Sequence, residues 1–144
     1  MAKYKVSWVI SDGGRKLAFP EMAMKHKRIG DCVIRATALA LEIPYEDAWD
    51  DLFFKAILIG LFPNHDDICK QNLLDKGWEE IKFGKELVRM DDKRILDLSK
   101  DRWIICYTRE HWVAMKDATI YDTWQSFLNS MGDYSRVFRV YYKP

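Results

Sequence analysis

The chain has few of the residues from which metal sites, disulfide frameworks and membrane spans are built. Its three cysteines, Cys32, Cys69 and Cys106, are far apart and form no CxxC pair. This spacing excludes a zinc ribbon and a disulfide framework, and an odd number of cysteines favours free thiols. No stretch approaches the roughly 18 consecutive apolar residues of a membrane helix, and the first residues lack the apolar run of a signal peptide. We therefore expect a cytoplasmic protein with no cofactor, no metal and no membrane partner.

An excess of charge of one sign is also absent. The 23 Lys and Arg against 22 Asp and Glu leave a formal net charge of +1. Without a global positive field, nucleic acid is not an expected partner. The 144 residues, of which 49% are apolar, suit one domain with its own core, so we expect a single domain over residues 1–144. No pattern indicates an oligomeric state.

Hydrophobic periodicity predicts helices first and strands later along the chain. The predicted helices cover residues 32–42, 45–61 and 65–76. The predicted strands cover residues 3–10, 102–108, 111–116, 119–124 and 136–143. WEEIKF is a candidate short strand, MDDKRILDLS is a short helix or an irregular connection, and residues 11–31 look irregular. This order indicates the α+β class, with the last four strands forming an antiparallel meander.

A thiol stands at the start of the first predicted long helix. Cys32 follows Asp31 there, and the unpaired N–H groups and positive end of a helix favour thiolate over thiol. Cys69 and Cys106 lie in apolar patterns and are expected to be small buried residues. Asp31 is expected to cap the helix through its carboxylate, and Arg35 to pair with Asp31 or with an acid elsewhere. Cys32 is therefore the candidate nucleophile.

Histidine is scarce, and one of the three opens a predicted strand. His111 begins the run 111–116, and Asp122 lies in the next run. A regular hairpin turning near residues 116–118 would place His111 near residue 122 or 123. A nucleophilic thiol needs an imidazole to take its proton, and the imidazole needs a third group to fix its orientation. The three together predict a triad: Cys32 as nucleophile, His111 as base and then acid, and Asp122 as the orienting group.

Three short segments carry a family resemblance. GDCVIRA at 30–36, HWVAM at 111–115 and IYDTW at 120–124 resemble the nucleophile, base and orienting segments of papain-like cysteine peptidases. Within that superfamily the pattern is similar to small double-glycine-peptidase-like proteins and to phage proteins. The resemblance implies a papain-like α+β fold in which N-terminal helices, the first opening at Cys32, pack on a C-terminal antiparallel sheet. It implies hydrolysis of a peptide or isopeptide bond through a thioester, with a peptide or protein substrate, in the host cytoplasm if the protein is phage-encoded.

The sequence departs from these relatives where an oxyanion would be stabilised. Papain-like enzymes usually carry a Gln several residues before the nucleophile, whereas residues 21–31 contain neither Gln nor Asn. Ovarian-tumour deubiquitinases, which have a similar nucleophile motif, place an Asp where this chain has Ile29. The backbone N–H of Cys32 is one expected oxyanion donor. His26, the Lys27 side chain or a loop amide are the candidates for the second.

The roles of two tryptophans and two alternative functions remain open in the sequence. Trp112 and Trp124 flank the predicted triad and are either core residues or walls of an apolar substrate cleft. The missing Gln favours an inactive papain-like binding module, such as a phage protein that interacts with a host factor. The same triad also suits a transamidase, a deamidase or an enzyme that cuts cell-wall amides.

Overall fold

A computed structural model describes residues 4–21 and 30–144. Five helices lie wholly within these residues: α1 (Arg15–Ala18), α2 (Cys32–Leu41), α3 (Tyr45–Ile59), α4 (Asp66–Asp75) and α5 (Lys93–Leu98). The strands described are β1 (Ser7–Ile10), β2 (Glu79–Lys82), β3 (Trp103–Thr108), β4 (His111–Lys116), β5 (Thr119–Asp122) and β6 (Arg139–Tyr142). The α+β class predicted from the periodicity is confirmed.

The six strands form one mostly antiparallel sheet in the order β1-β5-β4-β3-β6-β2. Strands β3, β4 and β5 form the predicted meander, but β6 pairs with β3 rather than with β5. The predicted four-strand meander is therefore wrong at its last step. The long connection between β5 and β6 packs over the sheet and buries Phe127 and Val137 in the core beside β3, β4 and β6. Because it crosses the sheet in this way, β6 joins the edge of β3 that β4 does not occupy. Strand β1 adds to the opposite edge, parallel to β5.

Helix α2 packs against β3 and β4 and has Cys32 as its first residue. Its buried face is rich in alanine, which lets the helix axis approach the sheet closely because little side-chain volume intervenes. The buried apolar residues of α2 are Val33, Ile34, Ala36, Ala38 and Ala40. This packing fixes the beginning of α2 beside the beginning of β4.

The short helix α1 was not predicted, and glycine explains how its segment reaches α2. Gly13 has a φ of +68°, and a Cβ placed there would lie 3.0 Å from the Cα of Arg35. Only glycine tolerates both the left-handed conformation and this close approach. The turn at residues 11–14 thus lies against α2 and delivers Arg15 to the buried carboxylate of Asp31.

The helix ends follow local sequence signals. Helix α3 stops at Ile59, two residues before the predicted end, because Gly60 takes a left-handed conformation with a φ of +84°. Helix α4 begins after His65, whose side chain accepts a hydrogen bond from the Asp67 N–H. None of the helices in the described part of the chain is long and apolar enough to cross a membrane.

Candidate active site

The structure brings Cys32, His111 and Asp122 together. Cys32 is the first residue of α2, His111 the first of β4 and Asp122 the last of β5. The His111 Nε2 atom lies 2.6 Å from the Asp122 Oδ2 atom, and the same imidazole acts on the Cys32 thiol closely enough to lower its pKa. Because Nε2 is engaged by the carboxylate, Nδ1 is the ring nitrogen left for the sulfur. The order of contacts is that of a nucleophile, a base and an orienting acid.

The hairpin that joins the histidine to the aspartate has a different register from the one predicted. Lys116 lies opposite Thr119, and continuing this pairing puts residue 124, not 122 or 123, opposite His111. The turn residues 117–118 both have positive φ, as in a type I′ turn, so the hairpin centre falls later than a turn at 116–118 implies. Asp122 is consequently a diagonal neighbour of His111 on the same face. The imidazole ring of His111 reaches across that diagonal to the carboxylate.

Neighbouring charges favour the ionised forms of the cysteine and the histidine. Burial opposes ionisation of Cys32, but hydrogen bonds with His111 and the Trp112 N–H, with the charges of His111 and Arg35, lower its pKa. Burial also disfavours the imidazolium, yet Asp122 and the Cys32 thiolate raise the pKa of His111 to about 9. These opposite shifts favour a thiolate on Cys32 paired with an imidazolium on His111.

The other two cysteines have no such environment. Cys69 and Cys106 are fully buried, as predicted for small apolar residues. Burial raises the pKa of the Cys106 thiol to about 12, and burial likewise raises the pKa of Cys69. Of the three thiols, Cys32 alone is partly accessible and has a lowered pKa.

A buried arginine ties the triad to a second carboxylate. The Arg35 side chain contacts Asp31 with one guanidinium nitrogen, and the other, Nη2, lies 3.1 Å from the Asp122 Oδ1 atom. Asp31 also accepts from Arg15 Nη1 at 2.9 Å and from the Tyr45 hydroxyl at 2.8 Å. The expectation that this carboxylate caps α2 is wrong, because two guanidinium groups and a hydroxyl occupy it. Both expected partners of Arg35 are present at once.

Every oxygen of the Asp122 carboxylate has donors. Oδ2 accepts from His111 and from the Ser126 hydroxyl, and Oδ1 accepts from Arg35 and from the Thr123 N–H at 2.7 Å. Burial alone would raise the pKa of Asp122, but the hydrogen bond with His111 and the other donors hold it below its ordinary value. A charged carboxylate held by four donors fixes the plane of the imidazole.

Asn64 is a site residue that the sequence analysis missed. It lies in the loop between α3 and α4, and its Oδ1 atom accepts a hydrogen bond from the Val33 N–H at 2.9 Å. Its Nδ2 atom lies 4.0 Å from the Cys32 sulfur. No local pattern marks this asparagine, since its position depends on how α3 and α4 pack against α2. His26 and Lys27, two of the expected oxyanion candidates, lie outside the described residues.

The two tryptophans have different environments. Trp124 is 49% exposed, and its ring centroid lies 5.1 Å from that of His111. Trp112 is 2% exposed and packs against Tyr141, so its side chain belongs to the core and not to a cleft wall. A cavity of about 660 Å³ opens beside His111, with Trp124 and Met131 among its lining residues. Of the two expected cleft residues, only Trp124 is placed to touch a substrate.

Comparisons with known proteins give no match among family models, curated proteins or solved structures. Within residues 4–21 and 30–144, no group of three or more His, Cys, Asp or Glu side chains is arranged to hold a metal ion. The chemistry of the site therefore has to follow from its own contacts. These contacts describe an activated thiol, an oriented imidazole and an adjoining open cavity.

Proposed function

We propose that this protein is a papain-like cysteine hydrolase that cleaves a peptide or isopeptide bond through a thioester on Cys32. One observation carries the proposal: Asp122 hydrogen-bonds His111, and His111 interacts with Cys32 so that the thiol pKa is lowered and the imidazole pKa is raised. Opposed shifts of this kind support Cys32 as the nucleophile and His111 as the acid.

The reaction follows from the protonation states of the pair. The Cys32 thiolate attacks the substrate carbonyl carbon, forming the C–S bond while the carbonyl electrons move to oxygen. The tetrahedral intermediate collapses, the C–N bond breaks, and the amine leaves with the proton of His111. A water molecule then attacks the thioester while His111 takes its proton, which releases the carboxylic acid and regenerates the thiolate. Asp122 keeps the imidazole oriented and stabilises its charged form throughout.

The surroundings of His111 favour a small, extended or flexible substrate. The half-exposed Trp124 lines the cavity beside His111 and offers an aromatic surface for a peptide chain. A transamidase would form the same thioester and pass it to an amine instead of water. An inactive binding module would have no need of a lowered thiol pKa.

The proposal is tested with a generic acyl donor, since no substrate has to be known. We expect p-nitrophenyl acetate to acetylate wild-type Cys32 in a burst, located by peptide mass spectrometry. His111→Ala should lower the burst rate about tenfold for each unit by which the thiol pKa rises, because the imidazolium that stabilises the Cys32 thiolate is lost. Cys32→Ala should abolish it, while Cys69→Ala, a change at a buried thiol, should retain it.

A peptide library then addresses the bond that is cut. New peptide termini formed by the wild type and not by Cys32→Ala would support a hydrolase. Incorporation of an added primary amine in place of water would identify a transamidase. Three thiols that all acetylate slowly, in proportion to their exposure, would contradict an enzymatic role and favour the binding module.

A further inference from the structure

Two contacts fix the orientation of the Asn64 side-chain amide beside Cys32. Its two ends are distinguishable because the Val33 N–H is a donor and must face the amide oxygen, at 2.9 Å. The amide nitrogen is thereby directed toward the Cys32 sulfur, 4.0 Å away. Both hydrogens of that nitrogen are donors, so the site presents N–H groups next to the reacting atom.

We propose that Asn64 is a catalytic residue whose Nδ2 atom is the second donor of the oxyanion hole, with the Cys32 N–H as the first. The inference rests on the proposed function and deepens it, because such a hole selects an electrophile with a planar carbonyl: an amide, thioester or ester. The donor comes from the loop after α3, downstream of the nucleophile in sequence.

The first donor, the Cys32 N–H, lies at the beginning of α2. The Cys32 N–H has no hydrogen-bond partner among the described residues, and the N–H of Val33 is already taken by Asn64. The positive end of α2 lies at the same point and favours negative charge. An oxygen that becomes negative there is close to a helix amide and a side-chain amide together.

The distance between Asn64 and the sulfur suits a negative charge that develops on the oxygen of a substrate carbonyl bonded to Sγ. A contact of 4.0 Å is long for a hydrogen bond to the thiolate itself. When the carbonyl carbon bonds to Sγ, its oxygen enters the space beside the sulfur and accepts from Nδ2 and from the Cys32 N–H. Collapse of the intermediate returns the electrons to the carbonyl, and the leaving group takes its proton from His111. A donor used mainly in the transition state accelerates the reaction without stabilising the resting enzyme.

The experiment compares two reactions of the same sulfur. Acetylation by p-nitrophenyl acetate passes through an oxyanion, whereas alkylation by iodoacetamide displaces iodide at a tetrahedral carbon and forms none. Asn64→Ala should lower the acetylation rate about a hundredfold and leave the iodoacetamide rate and its pH midpoint nearly unchanged.

Two further variants separate catalysis from folding. Asn64→Asp keeps the oxygen that accepts from Val33 and removes the N–H donors, so it should also lose acetylation while retaining the α2 contact. His65→Ala removes the neighbouring cap of α4 without touching Cys32 and should acetylate at the wild-type rate. Thermal unfolding of each variant reports whether it folds.

The outcomes distinguish this inference from the proposal on which it rests. Equal losses of acetylation and alkylation in Asn64→Ala would show that Asn64 only stabilises the thiolate, and would overturn its oxyanion role. Near wild-type acetylation by Asn64→Asp would also overturn that role. Failure of the wild-type protein to acetylate Cys32 would overturn both claims, whereas rapid wild-type acetylation that Asn64→Ala does not slow overturns only the role of Asn64.

Discussion

The beginning of α2 and the interior of β3 each hold a cysteine, and the pKa values of these two thiols shift in opposite directions. Cys32 lies against His111, a backbone N–H and the charge of Arg35, so its pKa falls although burial opposes ionisation. Cys106 is 0% exposed between apolar neighbours, and burial alone raises its pKa to about 12. The comparison shows that burial decides a thiol's state only where no compensating charge is built beside it.

The buried charged groups around Cys32 stabilise one another, because each acid lies beside a base. Asp122 links His111 to Arg35, and Arg35 links Asp122 to Asp31, which also accepts from Tyr45. These groups are buried or nearly so, and each carboxylate faces at least one cation. Around Cys106, stability instead comes from apolar contact within the sheet's second core. Three experiments test this contrast, beginning with the largest expected effect.

Thiol labelling should separate the two regions most widely. With iodoacetamide at pH 6.5, Cys32 should react at least about a thousandfold faster than Cys106, which becomes accessible only when the protein opens. The rate at Cys32 should persist below the ordinary thiol pKa of about 8.5 and change again near pH 9, where His111 loses its proton. Peptide mass spectrometry resolves the sites.

His111→Ala is the control for this labelling. Without the imidazolium, burial of Cys32 remains, so its pKa should rise and its rate at pH 6.5 should fall about tenfold for each unit of rise. Unchanged labelling in this variant would show that the helix end, and not the histidine, activates the thiol.

Removal of Arg35 should be the next largest effect. Arg35→Met leaves Asp31 and Asp122 buried with one fewer cation, which should lower the free energy of unfolding by about 3–5 kcal/mol. Urea denaturation measures the loss. Arg94→Met is the matched surface change: Arg94 also contacts two acids, Glu86 and Asp92, but its side chain is 54% exposed. Comparable losses at both positions would contradict the distinction between buried and exposed ion pairs.

Replacing either cysteine with serine should have the smallest effect on the free energy of unfolding. The change should affect mainly stability at Cys106 and mainly reactivity at Cys32. Cys106→Ser buries a hydroxyl among apolar side chains and should lower stability by about 1–3 kcal/mol without changing acetylation of Cys32. Cys32→Ser should abolish thiol labelling at that site and cost less stability, since a hydroxyl there keeps polar neighbours. Urea denaturation of the two variants side by side checks this, and a larger loss at Cys32 would reverse the interpretation.

The sequence predicts much of the helix and strand content because those elements depend on local periodicity. Helix α2 and strands β3, β4 and β5 lie within or match their predicted ranges. Short α1 was missed because four residues carry too little periodic signal. The place of β6 beside β3 was missed because pairing between distant strands depends on how the intervening connection packs.

Within the site, the sequence predicts the residues whose positions depend on local structure. Cys32 at a helix start, and His111 and Asp122 on consecutive strands, are recognisable because a helix end and a hairpin are local structures. Even so, the register was displaced and the contact formed through a diagonal pair.

The sequence by itself determined the α+β class, the three candidate triad residues and the burial of Cys69 and Cys106. Only the tertiary structure decided that Arg35 bridges two carboxylates, that Trp112 faces the core and that Asn64 lies beside the sulfur. These contacts join residues from elements far apart in the chain. Helix packing against the sheet sets their distances, and that packing depends on side-chain volumes summed over the whole core rather than on any single segment.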